Sequence, residues 1–283
     1  MKKTIKSISL LLVCSAFTFF SCQKMDHPSL ASNYPKDANQ PGGPLKFYAA
    51  FDGTSSNVLL NAVDSIRASF PATNPMTVID GISGKAIQGD GTNYITYASP
   101  NDFGSTASSF TISFWEKRDG IPNGNASFVF TIPSSNGKWG SYGFSMFLLF
   151  DWGSWTPATD ATVKFYMVDD VAGNDNWLTW EGGNKVPGIQ DNQWHHLAFV
   201  YDATASTLTL YVDGVANSNV PSWGGHGGIG IDASKIQGLN VGGNKNIHDM
   251  GWGMNWDAGL DQFRMYATAL SATEVKALFD GKK

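Results

Sequence analysis

"GLDQFRMYATALSATEV" runs from Gly259 to Val275. Its first half alternates apolar and polar residues, the period of a strand with one buried face. Its second half turns helical. Ser271 and Glu274 form an S-x-x-E capping box, Val275, Leu278 and Phe279 supply an apolar stripe, and Gly281 ends it. A strand followed by one short helix therefore closes the chain. The residues just before it, "DMGWGMNWDA" (Asp249–Ala258), are glycine, tryptophan and methionine without any period.

Upstream, short strands are broken by Gly, Asn and Asp turns, the pattern of an all-β sandwich or barrel. "FTISFWEK" (Phe110–Lys117) places Phe110, Ile112 and Phe114 on one face and Thr111, Ser113 and Trp115 on the other. "SFVFTI", "YGFSMFLLF" and "VKFYMVD" follow. "WHHLAFVYD" and "TLTLYVDGV" flank a turn at Ala203–Ser206 and predict a hairpin. "KAIQGDGTNYITYA" predicts another around Asp90-Gly91, a dipeptide suited to tight turns.

The ends set the compartment. Lys2, Lys3 and Lys6 precede an apolar run from Ile8 to Phe20, too short for a stable span and read as a secretory signal over residues 1–21. It ends in "FFSC", which resembles a bacterial lipobox with Cys22 as the lipid carrier. "CQKMD" is similar to short export tags that place lipoproteins on the cell surface. Residues 22–44 carry four prolines and little apolar pattern, and read as a flexible tether. The folded domain is expected over 45–283, roughly 240 residues, ample for one large core. Both cysteines, Cys14 and Cys22, precede it, so packing rather than disulfides must hold it. Losing residues 1–21 leaves 16 basic against 24 acidic residues, moving the formal charge from −5 to −8. Such an acidic chain argues against nucleic acid as a partner.

"FTISFWEK", "WHHLAFVYD", "LTLYVDG" and "LDQFRMYATALSATEV", with "FDGT" and "GISGKAIQGDGTNYITY" before them, resemble the laminin-G-like jelly rolls of the concanavalin A-like lectin/glucanase superfamily. The resemblance covers roughly Phe47 to Leu278. It implies an all-β, two-sheet antiparallel jelly-roll sandwich with one short C-terminal helix. It also implies a structural calcium near the first and last strands, with Asp52 and Asp261 as matching acids. Asp80, in "VIDGISG", could join them. The alternatives are that Asp52 and Asp80 are turn residues and that Asp261 braces its strand. Trp115, Trp194 and Trp256 match core or near-core positions of the family.

The fold alone does not give a function. Glucanases of this superfamily carry E-x-D-x-x-E on one strand, and no such motif is present, so no catalytic set is assigned. Were the chain a glycoside hydrolase, Glu181 would be the best acid, with Asp151 or Asp169 as its partner. Glu116 reads as a solvated rim residue. His195 and His196 split between two faces, one of them packed and hydrogen-bonded. Seven tryptophans lie in polar, glycine-rich surroundings: Trp139, Trp152, Trp155, Trp177, Trp180, Trp223 and Trp252. Each is either tucked under its loop or displayed for a sugar. The leading expectation is a non-catalytic polysaccharide-binding lipoprotein of the Gram-negative outer membrane, with the cell exterior as one expected side, that captures glycan for uptake partners. A protein-assembly module is the alternative.

Overall fold

The computed structural model describes residues 43–52, 68–69, 76–120, 124–139, 142–152 and 157–282. The signal segment, Cys22, most of the tether and Trp155 lie outside them. In chain order the strands are β1 (Leu45–Ala49), β2 (Ala68–Ser69), β3 (Thr77–Asp80), β4 (Lys85–Gln88), β5 (Ile95–Tyr97), β6 (Phe110–Lys117), β7 (Ala126–Pro133) and β8 (Phe144–Asp151). They continue with β9 (Thr162–Asp169), β10 (Asn174–Trp180), β11 (His195–Asp202), β12 (Thr207–Val212), β13 (Val215–Ala216), β14 (Leu239–Val241), β15 (Gly253–Asn255) and β16 (Gly259–Tyr266). A one-turn helix α1 (Phe103–Thr106) and the C-terminal α2 (Ala272–Asp280) complete the regular elements.

These strands build two packed sheets, as the jelly-roll expectation requires. The first runs β13-β12-β11-β6-β16-β4-β3, with β1 also on β16. The second runs β10-β9-β8-β7-β14-β5-β2, with β15 also on β7. All pairings are antiparallel except β15 with β7. The core lies between the sheets. Phe110, Ile112 and Phe114 enter it from β6, and Val163, Phe165 and Met167 from β9, as their alternation dictates. At about 1.5–3 kcal/mol per buried large side chain, this layer is the main source of stability.

The β11–β12 hairpin forms as expected, with Asp202 opposite Thr207. The hairpin expected at Asp90-Gly91 does not. β4 belongs to the first sheet and β5 to the second, so the chain crosses between them there. The turn chemistry is nonetheless present. Asp90 Oδ1 accepts from the Thr92 and Asn93 N–H groups, and Gly91 has φ +78°. Gly91 then exchanges backbone bonds with Asn255 and Trp256, which fixes the crossing. The actual hairpin is β3–β4, closed by Asp80 opposite Lys85.

Helix α2 has the full capping box, Ser271 and Glu274 bonding reciprocally. It closes the outer face of the first sheet: Phe279 stacks on Trp115 at 5.6 Å, and His196 packs beside them. Both faces of β6 are thereby buried.

β16 departs from simple alternation. Its pairing with β6 slips between Asp261 and Arg264, and Gln262 takes φ +49°. This is a bulge, one residue more than the partner strand matches. The opposite edge of β16 changes neighbour at the same place: β4 pairs with Gly259 and Leu260, β1 with Phe263 to Tyr266.

Candidate functional site

The outer face of the second sheet carries a second apolar cluster. Phe128, Phe144, Phe147, Leu149, Tyr166 and Val168 are buried there, although no sheet covers them. Their cover is aromatic. Trp139, Tyr142, Trp177, Met250 and Trp252 pack on top and stay partly exposed. Three separate segments deliver them. Trp139 and Tyr142 come from the β7–β8 loop, with Trp139 at φ +59° accepting the Tyr142 N–H. Trp177 comes from β10, and Met250 and Trp252 from the loop after β14. Trp139 is the hub, 5.4 Å from Trp177 and 5.8 Å from Trp252 between ring centroids. Beneath, Phe147 stacks on Tyr166 at 4.7 Å and meets Trp139 edge-on at 5.4 Å.

The loop with Met250 and Trp252 is held at both ends on one edge of β7. β14 pairs with Thr131 and Phe130, and β15 with Phe128 to Ala126. Asn255 stitches the base. Its Oδ1 accepts the Asn244 N–H and its Nδ2 donates to the Thr92 carbonyl.

Polar groups frame the cluster. Lys138 Nζ bonds Asp175 Oδ1 at 3.1 Å and the Gly173 carbonyl at 2.8 Å. Tyr166 Oη donates to Asp175 Oδ2, and burial with that carboxylate pushes its phenol pKa far up, so it stays a donor. Further along the same face, Lys164 Nζ lies 2.7 Å from Asp151 Oδ2 and 3.2 Å from Glu181 Oε2. Thr179 donates to Glu181 Oε1. Burial opposes the Lys164 charge, but the two carboxylates outweigh it and hold its pKa above the usual lysine value.

The structure thus brings Asp151 and Glu181 together, but through an ammonium. A glycosidase needs one carboxyl protonated to give its proton to the leaving oxygen. Here both carboxylates are engaged by the same Lys164 ammonium. Asp169, the third acid considered, is elsewhere. It accepts from His226 Nε2 at 2.9 Å and from the Gly230 and Ala172 N–H groups. Burial works against its charge, yet those donors hold its pKa low; it ties down a loop.

The other tryptophans sort by position. Trp177 and Trp180 face opposite sides of β10, as their spacing dictates. Trp180 is fully buried in the core, donating to the Asn219 carbonyl, and is not a sugar platform. Trp152 is 48% exposed, beside Asp151. Trp223 packs on the core and stacks on His226 at 3.8 Å, apart from the cluster. Trp115 and Trp256 are buried, and Trp194 is partly exposed.

Glu116 corrects the sequence reading. It is no rim residue but fully buried, in phase with Phe110, Ile112 and Phe114, and neither carboxyl oxygen has a hydrogen-bond partner. Burial raises its pKa to about 8, so it is a neutral acid at pH 7. The adjacent histidines also diverge. His196 is buried against Trp115, shares a 2.8 Å bond with Ser113 Oγ, and is pushed by burial to a pKa of about 3. His195 sits between Asp213 (2.8 Å) and Asp191 (3.1 Å), which raise it to about 9.

At the β16 bulge, Asp52 and Asp261 converge on the β3–β4 turn. Asp261 Oδ2 accepts the Ile82 N–H at 2.9 Å, and Asp52 Oδ1 accepts the Lys85 N–H at 3.1 Å. Gly84, at φ +65°, and Gly81 lie so close that a Cβ on either would strike these carboxylates. Asp261 Oδ1 is buried with no hydrogen-bond partner. Burial first, and the Asp52 charge among the further causes, raise Asp261 to about 7; burial raises Asp52 as well. Two adjacent acids and an orphaned oxygen fit a hard cation. Asp80 does not join them, being exposed and bonded to Lys85. Among the described residues no three His, Cys, Asp or Glu side chains converge, so further oxygens would come from backbone or water.

A two-sheet antiparallel sandwich of this strand order is a jelly-roll domain. The chain belongs to the concanavalin A-like lectin/glucanases superfamily: its laminin-G family model matches residues 89–276, more than half of the length. No curated protein matches the chain. Among solved structures it is similar to domain 4 of AbnA, an extracellular arabinanase from Geobacillus stearothermophilus, in complex with arabinotriose. That match has 17% identity and a TM-score of 0.53, covering 83% of this chain and 97% of that one. It is also similar to the binding domain of Paraclostridial Mosquitocidal Protein 1, with 17% identity, a TM-score of 0.54, and coverage of 84% and 52%. The ligand-binding domain of botulinum neurotoxin serotype D, in complex with N-acetylneuraminic acid, matches at 12% identity and a TM-score of 0.55, with coverage of 84% and 51%. The chain thus spans about half the length of the two toxin domains. At these identities the likeness is one of fold.

Proposed function

We propose that this protein is a non-catalytic carbohydrate-binding lipoprotein whose glycan platform is formed by Trp139, Trp177, Trp252 and Tyr142. One observation carries the reading: three tryptophans from three segments converge on an outer sheet face and remain partly exposed. Indole faces stack on the C–H faces of sugar rings, while amide and carboxylate groups around them meet hydroxyls. The sugar complexes of the arabinanase domain and the serotype D toxin domain support it, since both share the fold. In this reading Asp151 and Glu181, bridged by Lys164, serve as hydrogen-bonding groups at the edge of the platform.

The lipobox-like "FFSC" and Cys22 support an outer-membrane anchor, with glycan capture for neighbouring uptake proteins as its role. Calcium at Asp52 and Asp261 would brace the bulge of β16 against the β3–β4 turn. Affinity electrophoresis against a polysaccharide panel tests the binding reading. At least one gel should retard the wild type but not Trp177→Ala, without release of reducing sugar. Equal retardation of both would remove the platform from the proposal.

A further inference from the structure

On β10 and just beyond it, Trp177, Thr179 and Glu181 alternate onto the outer face and none is buried, while Leu178 and Trp180 point into the core. From Trp177 to Glu181 the strand advances about 13 Å, at roughly 3.3 Å per residue. That is the length of a short oligosaccharide, not of one sugar ring. The row starts in the tryptophan cluster. It ends where Glu181, Lys164 and Asp151 meet, beside the exposed Trp152. β10 is the edge strand of its sheet, so a long ligand can lie along it without meeting another strand.

Charge narrows the ligand. Each cation that the contacts place on this face is already matched: Lys138 by Asp175, Lys164 by both Asp151 and Glu181. The Lys164 cluster carries one excess negative charge, and the whole chain is acidic. Uronate or sulfate groups would meet repulsion with no free cation among these groups to receive them. Neutral hydroxyls meet both donors and acceptors: Lys164, Thr179, Asp151 and Glu181.

Resting on the proposed glycan binding, we infer that the ligand is a neutral polysaccharide lying along β10. Its rings stack at the tryptophan cluster, and its hydroxyls bond the Lys164–Asp151–Glu181 cluster.

The test is calorimetry on the full domain with mono- to hexasaccharides of neutral glucans, mannans, xylans and arabinans, beside polygalacturonate, alginate and heparin. The inference expects neutral chains to be preferred and affinity to rise beyond the disaccharide. Glu181→Gln and Lys164→Met should weaken the longer ligands about tenfold and leave the disaccharide unchanged, with melting temperature as the check on folding. Preference for an acidic chain would overturn the ligand class while leaving glycan binding intact. Full affinity at the mono- or disaccharide, or indifference to Glu181→Gln, would overturn the extended track. Failure to bind any member would overturn the glycan reading itself.

Discussion

The two sheets turn their outer faces to different covers. On the first, α2 lies across β6, and its partly exposed Phe279 seals Trp115 and His196 beneath it. On the second, loops lay Trp139, Trp252 and Tyr142 over Phe147 and Tyr166 and leave them partly exposed. Both faces are aromatic. A helix satisfies its own backbone and covers with one apolar stripe, whereas loops must keep polar backbone near solvent and bring in side chains from several segments. Both covers are partly wet, and buried aromatics lie beneath each; what sets the second face apart is that its partly exposed cover holds three tryptophans.

Truncating one tryptophan on each face should separate these roles. Trp115→Ala empties a fully buried site and is expected to cost about 3–5 kcal/mol in urea unfolding. Trp177→Ala, already partly wet, should cost well under half of that yet abolish polysaccharide retardation. Equal stability losses would show that the loop-covered face is a second core and not a platform.

The adjacent histidines sharpen the contrast through pH. His196 on the sealed face has a folded pKa of about 3, below its unfolded value of 6.5. Its contribution is present above pH 6.5 and lost as pH falls toward 3, up to several kcal/mol. His195 has a folded pKa of about 9, above 6.5. Its contribution is full below 6.5 and lost as pH rises through 9, about 1–2 kcal/mol after solvent screening. Glu116 and Asp261, with raised pKa values, lose stability as pH rises through part of the same range, so each limb is read as the difference between variant and wild type. His196→Phe should flatten the acid limb and His195→Asn the alkaline one.

Calcium should act on the sealed side alone. Calcium in excess is expected to raise the melting temperature by a few degrees, through about 1–2 kcal/mol of linkage. Asp261→Asn should abolish the response and Asp80→Asn should keep it. A rise that persists in Asp261→Asn would place the ion elsewhere. Glycan affinity at the tryptophan face should change least of all.

Legibility in the sequence followed locality. The alternation of β6, the β11–β12 turn and the Ser271–Glu274 cap are each set within a few residues and were readable. So was the opposition of Trp177 and Trp180. Glu116 was readable too: it shares parity with Phe110, Ile112 and Phe114, but its charge suggested a rim. The Asp90-Gly91 turn has the right chemistry for a hairpin, and only the pairing of distant strands sends the chain to the other sheet. The bulge at Asp261 was hidden because a single extra residue resembles ordinary alternation. Trp139, Trp177 and Trp252 are far apart in sequence, and no periodicity reports that they meet.

β14 and β15 lie end to end along one edge of β7, so the segment between them leaves and returns on the same strand. Closing a longer loop over fixed ends costs only a fraction of a kcal/mol per few added residues. The segment around Met250 and Trp252 is thus an exchangeable cartridge. Its length and sequence can drift, and on the proposed glycan binding ligand preference would drift with them, while the sandwich beneath keeps its register.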